Sequence, residues 1–241
     1  MPATPEPRIA PPAAADSARP DSARDRILAA AEAVIAEQGY AAASLRRIAQ
    51  RAGVPVTLIS YHFGSKLELY RAIFRLRVPT IVGQRRTGLE IARLEPDPDR
   101  RLELVVRALF VPMLGLRGSG HFGAILSREV VDPGNAERGI FAEMFDPVAQ
   151  MLLAALRDCL PDWSEAEIHY AYNAMVGAMV YFLADTGRMA RLSGGAADPD
   201  RIDEAAQHLV DIMVAGLRHR RRRGARNPTR TAGGQDATGH L

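Results

Sequence analysis

At 241 residues, 47% of them hydrophobic, the chain is long enough to bury a core, either as one large domain or as a small domain joined to a larger one. Its lone Cys159 excludes an intrachain disulfide, residues 1–15 lack the apolar stretch of a signal peptide, and the longest apolar run, residues 174–184, is far short of the ~20 residues a membrane span needs. A cytoplasmic protein with no membrane partner is therefore expected; its net charge of +3 is the sum of a net +5 over residues 21–90, −8 over 91–217 and +6 over 218–241, with residues 1–20 in balance.

Residues 1–20, rich in Pro and Ala, read as a disordered arm. From Asp21 to Gln38 the apolar residues Ile27, Ala31, Val34 and Ile35 recur at helical spacing, and Gly39 is a stop signal. Ser44 is a good N-cap for a second, short helix that turns Leu45, Ile48, Ala49 and Ala52 inward. Gly53 follows where a tight turn wants a residue free to take positive φ. Pro55 suits the first turn of a third helix running to Phe63, and Ser65-Lys66-Leu67-Glu68 has the capping-box pattern that opens a fourth. Short helices joined by so tight a turn outline a helix-turn-helix, here assigned to residues 21–70.

The remainder also reads as helical. Helices are expected from the late seventies to the early nineties and over 99–116, 120–131, 135–159, 163–192 and 199–219, with turns at Pro96–Pro98, Gly118–Gly120, Asp132–Gly134, Pro161-Asp162 and Gly194-Gly195. No segment sustains a period of two, so the fold class expected is all-α, with a larger helical domain over 71–219 and a basic disordered tail over 220–241.

On the third helix, Val54, Ile59 and Phe63, with Leu58 in part, can close against the first two helices. Val56, Thr57, Ser60 and Tyr61 fall on the opposite side, with His62 at its margin. A merely solvated face is normally filled with Glu, Arg or Gln. Short methyl- and hydroxyl-bearing groups suit a major groove, where they meet thymine methyls, base edges and phosphates. Lys66, the single lysine among 31 basic side chains, stands at a helix N-terminus that already favours an anion, and reads as a phosphate clamp. Ser44 and Arg46 would hold the DNA backbone on the other side.

The stretch "ILAAAEAVIAEQGYAAASLRRIAQRAGVPVTLISYHFGSKLELY" resembles the DNA-binding domain of the TetR family of bacterial transcriptional regulators, through Gly39, Ser44, Ile48, Ala49, Gly53, Val54 and the "YHFGSK" segment. The resemblance implies an all-helical homodimer, usually a repressor, released from a palindromic DNA operator when a small molecule enters the C-terminal domain. By that likeness Ser44, Arg46, Tyr61, His62 and Lys66 are backbone contacts, and Val56, Thr57 and Ser60 read bases. Many members carry an aromatic where this chain has Ser60, a departure from the pattern at that contact. Residues 122–156 resemble the C-terminal domain of a subgroup with a similar Arg-Glu pair followed by Asp-Pro. The likeness also implies that the last two long helices form a four-helix dimer interface. Ala171, Ala174, Gly177 and Ala178 permit close helix approach there, and Ile202, Ala205, Leu209, Ile212 and Leu217 supply an apolar face.

Phe110, Met113, Phe122, Met144, Phe145, Tyr172 and Met175 are candidates for lining an apolar effector pocket, although each taken alone suits plain core or interface better. Arg128 and Glu129 point about 100° apart on a helix and suit a surface or interhelical ion pair better than ligand recognition. The Arg218–Arg226 run can lend non-specific DNA affinity or meet the acidic body. His121 and His169 have no Cys or second His at ligand spacing, so no metal is expected, nor any cofactor. With no glycine-rich phosphate loop and no nucleophile motif, the chain is not expected to be an enzyme. Two rivals to a ligand-responsive regulator stay open: a constitutive DNA-binding protein without effector, and an all-helical enzyme or lipid carrier.

Overall fold

The computed structural model describes residues 22–117, 120–184, 187–198 and 200–226, with side chains through Arg221. The expected arm at residues 1–20, Gly118 and Ser119 of an expected turn, Asp185 and Thr186 of an expected helix, Pro199, and residues 227–241 of the expected tail lie outside the described residues. The described residues form helices and no strand.

Helix α1 (Ala23–Ala42) opens on Ser22, whose hydroxyl accepts the Asp25 N–H at 3.2 Å. Gly39, at φ 80°, interrupts it at the expected stop, and one further turn follows. Ser44 caps α2 (Leu45–Ala52) by accepting the Arg47 N–H at 3.2 Å. Gly53, at φ 65°, then satisfies the helix end by donating to Ala49 and Gln50, and the chain re-enters helix within a few residues as α3 (Val56–Phe63). That turn is tight because only a residue without Cβ takes the left-handed conformation cheaply.

Helix α4 (Lys66–Leu94) differs from expectation: what read as two helices is one of 29 residues, through Pro79. Pro79 is exposed, so the carbonyl it leaves unbonded a turn earlier faces water and the helix need not end. The boundary expected at residues 70/71 therefore falls inside a continuous rod shared by the reading head and the body. Of the capping box at its start only half forms. Ser65 Oγ accepts the Glu68 N–H at 3.1 Å, while the Glu68 carboxylate turns to Arg71 and Arg75.

The body comprises α5 (Pro98–Leu114), α6 (Phe122–Val131), α7 (Asn135–Arg138), α8 (Ile140–Met144), α9 (Asp146–Cys159), α10 (Glu165–Leu183), α11 (Arg188–Leu192) and α12 (Ile202–Arg226). The single helix expected over 135–159 is three, since Gly139 at φ 65° and the Phe145–Pro147 corner each redirect the chain. The helix expected over 163–192 likewise ends at Leu183 and resumes as α11. α12 continues past the residue 219 expected for its end. Its Arg218 and Arg221 pair with Asp99 of α5, and Arg220 pairs with Glu167 of α10, so the start of the arginine run meets the acidic body.

One apolar core runs from head to body. Ile27, Val34, Ile48 and Ile59 fill the head, and Tyr70, Phe74 and Phe122 carry the packing onward with ring centroids 5.1 and 5.2 Å apart. α4 and α5 cross so closely that a Cβ on Gly88 would lie 2.9 Å from that of Ala108.

Candidate nucleic-acid interface

The two faces expected of α3 are realised as burial. Ile59 and Phe63 are buried against α1 and α2, with Val54 and Leu58 half-buried beside them. Val56, Thr57, Ser60, Tyr61 and His62 are all exposed. Tyr61 stands 83% open to solvent, its ring edge-on to that of His62 at 5.3 Å. Such exposure removes most of the case for Tyr61 as a packing residue. α3 thus offers methyls, hydroxyls and two hydrogen-bonding rings on a convex rod held firmly from behind.

The cations flank that rod. Arg46 is exposed on the first turn of α2, and so is Arg47, a neighbour that sequence reasoning passed over although it follows directly in a basic pair. Arg51 is instead tied to Glu37 at 2.6 Å. The Ser44 hydroxyl is exposed, but its acceptor role at the helix cap leaves chiefly its O–H for any further partner.

Lys66 needs a fuller account than a clamp waiting for phosphate. Its Nζ donates to the Ala41 carbonyl at 3.1 Å and lies 4.6 Å from the centroid of the Tyr40 ring. The side chain is half-buried, and burial pulls its pKa below the ordinary lysine value. Lys66 thus satisfies an orphan carbonyl in the last turn of α1 and seals the joint between α1 and α4. An ammonium has three donors, so a solvent-side proton remains for an anion.

Behind Lys66, a polar cluster ties the head to the body. Tyr40 packs on Tyr70 at 4.6 Å and lies under the Arg138 guanidinium at 5.0 Å. Tyr70 Oη donates to Glu129 at 2.9 Å, and Arg138 Nη2 meets Glu129 at 2.8 Å and Asp132 at 2.9 Å. Burial, then the charge and hydrogen bond of Glu129, hold the Tyr70 phenol well above its usual range. Burial works against the Arg138 charge, but its bonds to Glu129 and Asp132 outweigh that and keep it firmly protonated. The Arg138 bond and the Gly134 N–H hold Asp132 below the usual carboxylate range. Two further grips reach α1: Arg77 makes a two-pronged pair with buried Glu32, and Arg128 donates to the Ala36 carbonyl. Adjacent Arg128 and Glu129 therefore serve different partners, with Glu129 in an interhelical ion pair.

The seven candidate pocket residues do not surround one space. Phe122 borders an open groove of about 690 Å³ between α4 and α5, among Leu76, Ile81, Ile91, Leu104 and Val111. Met175 faces a groove of about 390 Å³ between α10 and α12. Met113, Phe145 and Tyr172 line a small cavity of about 50 Å³ bounded by α4, α5, α6 and α8 to α10. Phe110 and Met144 line none of these three; Phe110 is fully buried core. Arg85, at the back of the small cavity, carried no mark in the sequence, because surface and buried arginines look alike there. Among the described residues there is no cluster of metal-ligating side chains and no helix long and apolar enough to cross a membrane.

Comparison with known proteins gives the arrangement its relatives. Residues 27–73 match the family described as bacterial regulatory proteins, tetR family, and residues 103–216 match the tetracyclin repressor-like C-terminal domain. The chain is 28% identical over 214 residues to the HTH-type transcriptional dual regulator CecR of Shigella flexneri, covering 83% of this chain and 95% of that protein. It is 40% identical over 90 residues to the HTH-type transcriptional activator FasR of Mycolicibacterium smegmatis, a match spanning 37% of this chain and 40% of that relative's length. The solved structure of the fatty acid degradation regulator FadR from Bacillus halodurans superposes with a TM-score of 0.58 at 18% identity, covering 81% of this chain and 96% of that one, and shares the fold. With family matches over both head and body, the chain belongs to the TetR family of bacterial transcriptional regulators, DNA-binding proteins that respond to small molecules.

Proposed function

We infer that the chain acts in the cytoplasm as a homodimer that reads a palindromic operator with one α3 per protomer and leaves it when an effector enters the body. The observation that carries this reading is the outer face of α3, where Val56, Thr57, Ser60, Tyr61 and His62 are exposed over a buried Ile59 and Phe63. Val56, Thr57 and Ser60 meet base edges, while Ser44, Arg46, Tyr61, His62 and Lys66 position the phosphate backbone. Two such heads need half-site centres about one helical turn, ~34–36 Å, or slightly more apart.

The exposed face of α10 and α12 supports the dimer. Tyr170, Tyr181 and Ile212 are 74%, 59% and 65% exposed, and Gly177 between them meets nothing within 4 Å, so a partner's helices can pack closely on it. α6 supports the response. Leu126, Ser127 and Val130 border the small cavity, while Arg128 and Glu129 on the same helix hold α1 and α4. A ligand that shifts α6 therefore biases head spacing, and a hundredfold loss of DNA affinity needs only ~2.7 kcal/mol of preference for the wrong spacing. An operator that overlaps its promoter makes occupancy a block to polymerase, and there the chain represses.

The test is fluorescence anisotropy on the duplex directly upstream of the chain's own gene, beside a scrambled duplex, titrated across salt. Tighter binding to the native duplex, weakened alike on both by Arg46→Ala and selectively by Thr57→Ala, is the expected result. Equal, weak binding that Thr57→Ala leaves untouched on both duplexes would remove the basis for reading α3 as the recognition helix.

A further inference from the structure

Arg85 sits on α4 at the back of the small cavity, 3% exposed, with no acidic side chain in ion-pair contact among the described residues. Its Nη2 donates to the Leu109 carbonyl at 3.2 Å and lies 3.8 Å from Met179 Sδ, a weak acceptor. Its Nε is buried with no hydrogen-bond partner. Burial pushes the guanidinium down to about 10, which leaves it charged at neutral pH. Each of the other three buried charged groups among the described residues, Glu32, Glu129 and Arg138, has its counter-ion. A buried, unpaired arginine is a costly element to keep, and its planar fork is shaped to take an oxyanion by two parallel bonds.

The surroundings narrow the partner. Inside the rim the walls other than Arg85, Ser127 and Tyr172 are apolar or thioether, among them Met113, Phe145, Val176 and Met179. The buried Ser127 hydroxyl is spent on the Ala124 carbonyl, and the half-buried phenol of Tyr172 is close enough to Arg85 to feel its charge. The space of about 50 Å³ admits a headgroup-sized moiety and no chain. Methionine walls can re-pack to lengthen it. At the rim stands the exposed carboxylate of Asp146, which disfavours a ligand that is anionic along its whole length.

We propose that Arg85 is the anchor of an effector site for a monocarboxylate with an apolar body. The carboxylate enters first and bonds to the Arg85 fork, and the apolar body lies along Phe141, Phe145 and Val176 toward the rim. The regulatory consequence rests on the reading above: the ligand would press on α6 through Leu126 and Val130, which bracket Arg128 and Glu129 and their contacts with the head.

The experiment is calorimetric titration of the full chain with decanoate and with 3-phenylpropanoate, each beside its primary amide. The expected result is binding of at least one acid, at least about tenfold tighter than its amide, with that preference lost in Arg85→Met. Arg85→Met should also melt no lower than the parent, because it removes an unpaired buried charge. Should it fold poorly, Arg85→Lys keeps the charge but not the fork, and the preference should fall about tenfold. Equal affinity for acid and amide, no binding of either acid, or an unchanged preference in both variants would overturn the assignment. Anisotropy on the same samples separates the two readings. Loss of sequence-preferring DNA binding strikes at the regulator and leaves the acid-over-amide preference standing, whereas acid binding that releases no DNA overturns the proposed link between them.

Discussion

Tyr70 and Glu129, 59 residues apart in the chain, meet in the interior where the phenol donates to the carboxylate at 2.9 Å. The bond joins the start of α4, which belongs to the reading head, to α6, which borders the cavity in the body. Glu129 is buried and holds Arg138 on its other side, so neither oxygen is left bare. Tyr40 and Lys66 stack onto the same cluster, which places the last turn of α1 under its control.

Removing one donor from this cluster should be felt globally. Tyr70→Phe leaves a buried carboxylate short of one bond and is expected to lower stability by about 1–3 kcal/mol in urea denaturation. Arg138→Met strips Glu129 of its counter-ion and should cost more, roughly 3–5 kcal/mol. Equal stability in all three proteins would mean that water replaces these bonds at no cost.

The Tyr70 phenol gives that difference a pH signature. In the unfolded chain it loses its proton near pH 10, whereas in the folded chain burial and Glu129 hold the proton on well above that. Above pH 10 the unfolded state therefore binds fewer protons, and the parent protein loses stability by up to ~1.4 kcal/mol per pH unit from this group. Tyr70→Phe has no such loss. The stability gap between the two should hold steady below about pH 9.5 and narrow from pH 10 to 11, as urea midpoints at each pH would read. A constant gap across that range contradicts the shift.

On DNA, the two kinds of contact should separate by their salt dependence. Arg46→Ala is expected to weaken binding on every sequence and reduce the slope of log affinity against log salt by about one unit. Lys66→Ala should do the same and also lower the melting temperature, since Nζ caps the Ala41 carbonyl and covers Tyr40. Val56→Ala and Thr57→Ala should leave the slope alone and relax base preference, each by about 1–3 kcal/mol at one position. A Lys66→Ala protein with lowered stability but an unchanged slope would make Lys66 a joint between helices and nothing more.

The outer face of α10 and α12 yields a test of assembly. Ile212→Asp puts a charge where a partner's apolar helices should pack, and it disturbs little in the free protomer because Ile212 is 65% exposed there. The dimer dissociation constant should rise by about a hundredfold or more, on the order of 3 kcal/mol, in sedimentation velocity, with the helical circular dichroism unchanged. A dimer of unaltered strength would move the interface elsewhere.

The helix-turn-helix was legible because its determinants are local. Ser22, Ser44 and Ser65 each cap the helix that follows them, and Gly39 and Gly53 take the positive φ that their turns require. The α3 face was equally readable, since helical spacing alone separates Ile59 and Phe63 from Thr57 and Ser60. Element continuity was read less well. The stretch from Lys66 to the early nineties read as two helices and is one, Pro79 being tolerated because it faces water. Residues 135–159 read as one helix and are three, because Gly139 and the Phe145–Pro147 corner turn the chain.

By its spacing of caps, glycines and apolar residues, the sequence determined an all-helical chain with a reading head at its front. Those features act within a turn or two of helix, so they survive without knowledge of neighbours. Only the tertiary structure decided what Lys66, Glu129 and Arg85 do. Each is defined by a partner, or by the want of one, across 24 to 94 residues of chain: the Ala41 carbonyl, the Tyr70 phenol, and for Arg85 a carbonyl and a thioether where a carboxylate would be expected. A charge on a helix reads the same in sequence whether water or a core surrounds it. Desolvation alone makes Arg85 exceptional, and desolvation is a property of the packed molecule.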